Sequence, residues 1–289
     1  MERPAVDVVV PVAAADAGGL CAVLERMREG LALGPGDTLT VVDNRGLGVT
    51  DPSVLAAPEV RTSYYARNRG AARGTAPWLL FLDADVAPDP GLLDGLFRPA
   101  PGPEVGVLAG AIVDGPAAPG AGGAVRYAAL KGAMSQEAVL AHGEWAFAQT
   151  ANAAIRREAF VAAGGFFEHV RSGGDADLCW RLRAAGWKLQ SRPGAVVVHT
   201  NRATLAGMLG QRFRHGTGAG WLSARWPGAL PARSWPGLLR WGLVRGLAGA
   251  RALARGDRDA AVLGLLDGPA VWAFELGRLV PNRALWRRG

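Results

Sequence analysis

The feature that most constrains this chain is a series of short, β-branched apolar runs that end in carboxylates. Residues 7–12 read Asp-Val-Val-Val-Pro-Val and residues 39–43 read Leu-Thr-Val-Val-Asp. Residues 78–82, Trp-Leu-Leu-Phe-Leu, lead straight into Asp83-Ala84-Asp85. Runs this short and uniformly apolar are strands buried on both faces, as in a parallel sheet. Between the first two, Leu20, Leu24, Met27 and Leu31 fall at helical spacing within residues 17–33, and Gly34-Pro35-Gly36 closes the segment. Residues 60–65 read as a third, short strand, followed by a helix of small residues over 68–74. The alternation predicts an α/β fold, with a mostly parallel, Rossmann-like sheet flanked by helices. Ligands of such sheets bind in the crevice beyond the carboxyl ends of the strands. Asp43, Asp83 and Asp85 stand at those ends.

Downstream, an apolar stretch over 105–113 precedes a Gly/Pro/Ala segment, 115–123, that reads as a flexible loop. A new block starts at Thr150, with a helix over 157–163, a Gly164-Gly165 stop, a second helix from Asp177, and a strand over 195–199. Everything after residue 202 reads as helix. This divides the chain into an α/β catalytic-size domain, 1–202, and a C-terminal helical extension, 203–289. With 289 residues and 49% apolar content, the chain can bury a sizeable core, which excludes wholesale disorder. Its two cysteines, Cys21 and Cys179, supply no disulfide framework, which fits a reducing compartment. The opening residues lack the basic start and long apolar run of a signal peptide, so a cytoplasmic protein is expected.

Asp83-Ala84-Asp85 is the sharpest chemical feature. In an extended chain, residues i and i+2 point the same way, so both carboxylates can reach one hard divalent cation, Mg2+ or Mn2+. Such a cation suits the two phosphates of a nucleotide-diphosphate sugar. The competing reading is a strand-terminating turn, with Pro88 and Pro90 following. Asp175 and Asp177 precede the helical run Leu178, Leu182, Ala185, where they serve either as helix caps or as a site carboxylate; Asp177 and Arg181 are also spaced to pair. His199 ends an apolar strand. Trp180 and Trp187 read as core, or as an acceptor-facing surface.

Five elements in order resemble bacterial family 2 glycosyltransferases of the inverting GT-A type, over nearly all of residues 6–202. They are the opening strand with Pro11; Val41-Val42-Asp43-Asn44; Ala66-Arg67-Asn68-Arg69-Gly70 through Gly74 with Leu82-Asp83-Ala84-Asp85; Thr150-Ala151-Asn152 through Arg157; and Gly174-Asp175-Ala176-Asp177 through Leu182. The resemblance implies the nucleotide-diphospho-sugar transferase fold. Its donor would be a nucleotide sugar, with a UDP-sugar favoured, and its acceptor an unidentified hydroxyl. It implies donor contacts from Pro11, Asp43, Arg67, Asn68, Arg73, Asp83 and Asn152, with Asp43 reading the base and the arginines suited to phosphate. It further implies a metal held by Asp85 and His199, and Asp175 as the general base. Two departures stand out. Asn44 replaces the family's second Asp after Asp43, and Gly174 replaces the Glu that usually precedes the base.

The extension carries the positive charge. Thirteen arginines and four acidic residues follow position 202, a formal +9 in a chain of net +7. Six of the ten tryptophans lie there as well: Trp221, Trp226, Trp235, Trp241, Trp272 and Trp286. Residues 238–253 and 260–279 are long helical stretches. Arg240, Arg245 and Arg251 interrupt the first; Asp267, Pro269 and Glu275 interrupt the second, so neither reads as a membrane span. Arginine and tryptophan on helices suit an anionic membrane surface, which would mean peripheral contact at the inner membrane face. The other reading is a helical cap packed over the acceptor side. No nucleic-acid recognition motif accompanies the charge. Besides glycosyl transfer, two functions remain open at this level: formation of sugar nucleotides by a nucleotidyltransferase, and nucleotide-sugar binding without catalysis.

Overall fold

The computed structural model describes residues 3–284 apart from position 119. In chain order its elements are β1 (Val6–Val12), α1 (Ala17–Gly30), β2 (Thr38–Asp43), β3 (Val54–Ala56), α2 (Ser63–Ala71) and β4 (Trp78–Leu82). There follow β5 (Val86–Pro88), α3 (Leu92–Phe97), β6 (Val105–Asp114), α4 (Gly123–Lys131), α5 (Gln136–Leu140) and β7 (Asn152–Arg156). The chain continues through α6 (Arg157–Ala162), α7 (Gly174–Ala184), β8 (Lys188–His199), α8 (Leu205–Arg225), α9 (Trp235–Ala254) and α10 (Arg258–Gly277).

One sheet holds all eight described strands in the order β3-β2-β1-β4-β7-β6-β8-β5. β3, β2, β1 and β4 run parallel, as the apolar runs predict for β1, β2 and β4. β7 enters antiparallel between β4 and β6, and β8 lies parallel to β6. Val6, Val8, Val9 and Val10 of β1 and Leu79 through Leu82 of β4 are fully buried, so both faces of this central pair are covered. At the opposite end from the strand-end carboxylates, Asp7 receives Arg157, Thr38 Oγ1 at 2.6 Å and the Ala76 N–H at 2.9 Å. Gly70 brings α2 against the sheet, since a Cβ there would lie 2.4 Å from Val9 Cγ1 and 2.9 Å from Val42 Cγ2.

The third strand differs from the sequence expectation. It is Val54–Ala56, and residues 63–65 belong to a helix. The reason is local. Thr62 accepts the Tyr65 N–H at 3.1 Å and caps α2, overriding the strand preference of the two tyrosines. The helices α4 and α5 lie between the loop over 115–123 and the block that starts at Thr150, where the sequence reading assigns no element.

α8, α9 and α10 form the helical extension, and the expected boundary at 202 falls between β8 and α8. α10 lies between α8 and α9, in backbone contact with both. A Cβ on Gly277 would meet the Phe213 carbonyl oxygen of α8 at 2.0 Å, and one on Gly264 would meet Gly249 Cα of α9 at 2.5 Å. α10 is long and apolar enough to cross a bilayer. Its polar groups are matched within the protein, however: Asp267 is buried against Arg245 and Lys131, both at 2.8 Å, and Tyr127 Oη at 3.0 Å. Trp286 lies outside the described residues.

Candidate active site

The carboxyl ends of β1, β2 and β4 open onto one crevice, and two long-range pairings furnish it. β5, immediately after Asp85, pairs antiparallel with β8 and sets Val86 opposite His199. β6 pairs parallel with β8 and sets Asp114 opposite the same histidine. As a result Asp85 Oδ2 lies 3.7 Å from His199 Nε2, and Asp114 Oδ1 lies 3.4 Å from His199 Nδ1. Burial would lower the imidazole's pKa, but the two carboxylates outweigh it and raise it to about 9. Asp85 behaves conversely. Burial would raise its pKa, yet His199, together with Arg202 at 3.1 Å, holds the carboxyl below its ordinary value.

Asp83 is half-buried and bonded to Nη2 of Arg67, whose guanidinium also sits 5.5 Å over the Tyr64 ring. Burial raises the Asp83 pKa against the opposing pull of Arg67. Asp175 stands in the first turn of α7. Its pKa is raised by burial, with Arg67 pulling it down and Asp83 pushing it up, which places all three groups within one electrostatic neighbourhood. The departure at Gly174 acquires a physical explanation. A Cβ there would stand 2.8–2.9 Å from three carbons of the Tyr64 ring, so the tyrosine occupies the space a side chain would need. Its hydroxyl accepts the Gly174 N–H at 2.9 Å and faces Asp175 Oδ1 at 3.4 Å.

Several expected residues are engaged elsewhere. Asp43 is buried, and its carboxylate accepts the N–H groups of Arg45 at 2.9 Å, Gly46 at 3.0 Å and Leu47, closing the loop after β2. Asn68 is a loop fastener: its amide donates to the Phe166 carbonyl at 2.9 Å and to Glu168 at 3.0 Å, and accepts the Phe166 N–H at 3.0 Å. Asn152 is completely buried and donates to the carbonyls of Ala111 and Ala195, both at 2.9 Å, where the β6/β8 register shifts. Arg73 is exposed and bonded to the Pro52 carbonyl, at the amino end of the strands, because α2 runs back antiparallel to them. Pro11 is buried near the end of β1, opposite Val42. Asp177 joins Arg181 at 2.7 Å, as its spacing predicts, and also Arg225 at 2.6 Å and Trp226 Nε1 at 3.0 Å, which ties α7 to α8. Trp180 is core, stacked edge-on against Trp145, Phe147 and Trp226.

The structure adds residues the sequence did not single out. Asp114 carries the same signature as Asp43, a carboxylate ending an apolar run. Arg202 and Arg214 have no comparable local signal. Arg214 shares a field with Tyr64, Asp83 and Arg202, its own pKa lowered by burial, and its Nε is buried without a partner. Next to it, burial and the charges of Arg214, Arg212 and Arg202 pull the His215 pKa down to about 3. The carboxylates of Asp83, Asp85 and Asp175 are therefore interleaved with the guanidinium groups of Arg67, Arg202 and Arg214.

The chain is similar to known proteins in both sequence and fold. Over 181 residues the chain is 34% identical to the pre-mycofactocin glycosyltransferase of Mycobacterium tuberculosis, covering 61% of this chain and 38% of that protein. It is 28% identical over 165 residues to Glycosyltransferase AglE of Haloferax volcanii, covering 57% of this chain and 53% of that protein. The chain thus spans less than two thirds of either relative's length. Its structure is similar to that of the mannosyltransferase PcManGT from Pyrobaculum calidifontis, solved in complex with GDP-Man and Mn2+. The TM-score is 0.59 at 19% identity, over 94% of this chain and 87% of that one, a likeness of fold that makes the architecture GT-A-like. Residues 1–218 match the family described as glycosyltransferase-like family 2, and with that match covering most of its length the chain belongs to this family.

Proposed function

We propose that this protein transfers a sugar from a nucleotide-diphosphate donor to an acceptor hydroxyl, with inversion at the anomeric carbon and with the aid of Mg2+ or Mn2+. The observation that carries the reading is the meeting of Asp85, His199 and Asp175 with Arg67, Arg202 and Arg214 at the carboxyl end of one sheet. Guanidinium groups are suited to a diphosphate, and the buried Nε atoms of Arg67 and Arg214 have no hydrogen-bond partner among the described residues.

The carboxylates fit a hard cation. Asp85 and His199 offer an oxygen and a nitrogen 3.7 Å apart, and Asp114 orients the imidazole through its other nitrogen, as outer carboxylates do for metal-bound histidines. Among the described residues no three His, Cys, Asp or Glu side chains cluster closely enough to hold an ion by themselves. That suits Mg2+ or Mn2+, which take one or two protein ligands and complete their shell with phosphate and water. When bound, the ion would neutralise charge on the departing diphosphate.

Asp175 is the base. It takes the proton of the acceptor hydroxyl as that oxygen bonds to the anomeric carbon, and the bond to the diphosphate breaks with its electron pair leaving on the nucleotide. Burial raises the carboxyl's proton affinity, as a general base requires. Tyr64 holds it from one side. A UDP-sugar is the donor the sequence resemblance favours. The archaeal mannosyltransferase carries GDP-Man, and three backbone N–H groups already occupy Asp43, so the base preference is the finer question. We read the protein as cytoplasmic. A nucleotidyltransferase would need a glycine-rich phosphate loop after the first strand. Here Ala13-Ala14-Ala15 leads to Asp16, whose carboxylate caps α1 at Gly19 N, 2.8 Å away.

Thermal shift of the full chain against UDP- and GDP-sugars, with and without Mn2+, tests the donor side, because a ligand that binds only the folded state raises stability. Stabilisation by one donor class that depends on the metal supports the reading. A shift by neither class, or sugar-nucleotide synthesis from a sugar phosphate and a nucleoside triphosphate, refutes it. For a competent acceptor, NMR of the product's anomeric centre tests inversion.

A further inference from the structure

α9 is built inside out. The side that packs on α10 is made of Leu238, Gly242, Gly249 and Ala252, all buried. A Cβ on Gly242 would meet the Trp272 ring at 2.3 Å, and one on Gly249 would meet Leu265 N at 2.6 Å, so small residues let the two helices touch. The large apolar residues lie on the solvent-exposed side flanking this contact, between it and a row of arginines. Leu239, Leu243, Leu247 and Leu253 are 49%, 63%, 60% and 58% exposed. At 100° per residue they lie within one arc, together with Gly246, Ala250 and Ala254, and no charged residue falls inside it. Trp235 opens the same arc at the start of the helix. Arg240, Arg251 and Arg255, all exposed, run beside it as a row along one edge.

A helix of a water-soluble bundle turns its large apolar residues toward its neighbours and its small or polar ones toward solvent. Small residues at the helix contacts with leucines pointing away is the distribution of helices that face lipid. α9 does not span, because the arginine row runs its length; an apolar arc edged by arginine is instead the pattern of a helix lying in the interface plane, with tryptophan at headgroup level. The charge selects the surface. The extension is formally +9, and the row beside the leucines is purely basic. A second copy of this chain would set two arginine rows near each other across a twofold axis, which disfavours self-association.

We propose that the outward face of α9 docks this protein onto a bilayer containing anionic phospholipid, the leucines entering the acyl boundary and the arginine row meeting the headgroups. This goes beyond the transfer reaction and does not depend on it. It also gives the extension a second role besides the α8 contacts that complete the crevice.

The test is co-sedimentation of the full chain with vesicles of phosphatidylcholine alone or mixed with phosphatidylglycerol. Binding to the mixed vesicles, weakened by salt, is expected. The triple variant Arg240→Gln/Arg251→Gln/Arg255→Gln should weaken it about a hundredfold, at about fivefold per arginine near an anionic surface. Leu239→Gln/Leu243→Gln/Leu247→Gln should abolish it. Both variants should keep the wild-type melting temperature and any Mn2+-dependent hydrolysis of donor in solution, since the face touches no crevice residue. The proposal is overturned if the wild type ignores the mixed vesicles, if the leucine variant still binds them, or if light scattering shows a dimer that the leucine substitutions dissociate. Loss of donor hydrolysis in every form of the protein would strike the transfer reading and leave the vesicle result standing.

Discussion

Asp175 and Asp177 stand two residues apart in one helical turn, and replacing each by Asn should give opposite phenotypes. Asp177 is completely buried, with one oxygen on Arg181 Nε and the other shared by Arg225 Nε and Trp226 Nε1. Removing one partner of a buried ion pair costs about 3–5 kcal/mol, because the remaining charge is left without compensation. Two details move this case to the lower end. Arg225 is 39% exposed and can turn to water, and Arg181 keeps the Ala163 and Gly165 carbonyls at 2.5 and 2.8 Å. Asp177→Asn should therefore lose about 3 kcal/mol, a fall in melting temperature of roughly 6–12 °C for a chain of this size.

Asp175 behaves differently. Its pKa is raised in the folded state, so the ionised carboxylate is less favourable there than in the unfolded chain, and at neutral pH it subtracts from stability. Asp175→Asn removes that unfavourable charge and should leave the unfolding midpoint unchanged or higher, while transfer falls about 10²–10⁴-fold. Urea denaturation followed by tryptophan fluorescence, beside a donor-turnover assay, measures both. An Asp177→Asn protein within 1 kcal/mol of wild type, on the order of an exposed pair, would refute the anchoring argument. An Asp175→Asn protein that unfolds as readily as Asp177→Asn, or turns over normally, would refute the division of roles.

Asp85→Ala and His199→Ala should each remove metal-dependent thermal stabilisation by donor while leaving metal-free donor binding measurable; isothermal titration with and without Mn2+ distinguishes the two. Gly174→Ala drives a methyl into the Tyr64 ring and should cost about 1–3 kcal/mol as overpacking. Tyr64→Ala should suppress that penalty in a double-mutant cycle, and additive effects would show that the ring is not the obstacle. The rate should fall as pH drops through the pKa of Asp175, with the acid limb above the ordinary carboxylate range because burial raises that pKa. An acid limb at the pKa of a free aspartate, read from the pH dependence of turnover over pH 3–8, would contradict this.

The helices of the extension were legible as helices and illegible as a surface. Leucine and arginine frequencies over 238–253 are the same whether the leucines face α10 or solvent; only the glycine contacts at Gly242 and Gly249 decide which side is inward. The crevice divides similarly. Asp83 and Asp85 were visible because strand-end carboxylates are a local pattern, whereas Arg214 comes from a helix more than a hundred residues away and leaves no trace near them.

By itself the sequence determined the parallel strands β1, β2 and β4, the end of the sheet at which their carboxylates gather, and the order of motifs that places the chain in its family. These are encoded locally, in apolar runs of strand length and in what immediately follows them. Tertiary structure alone decided which carboxylates have partners. Asp43 and Asp83 both end apolar strands, yet one is closed off by three backbone N–H groups of its own loop and the other faces Arg67 and the crevice. Asn152 looked like a ligand-facing amide and is instead buried where the register of two paired strands shifts. A side chain's type is fixed by the chain, but its hydrogen-bond partners are fixed by whichever donors and acceptors the fold brings within about 3 Å, and most of these come from distant segments.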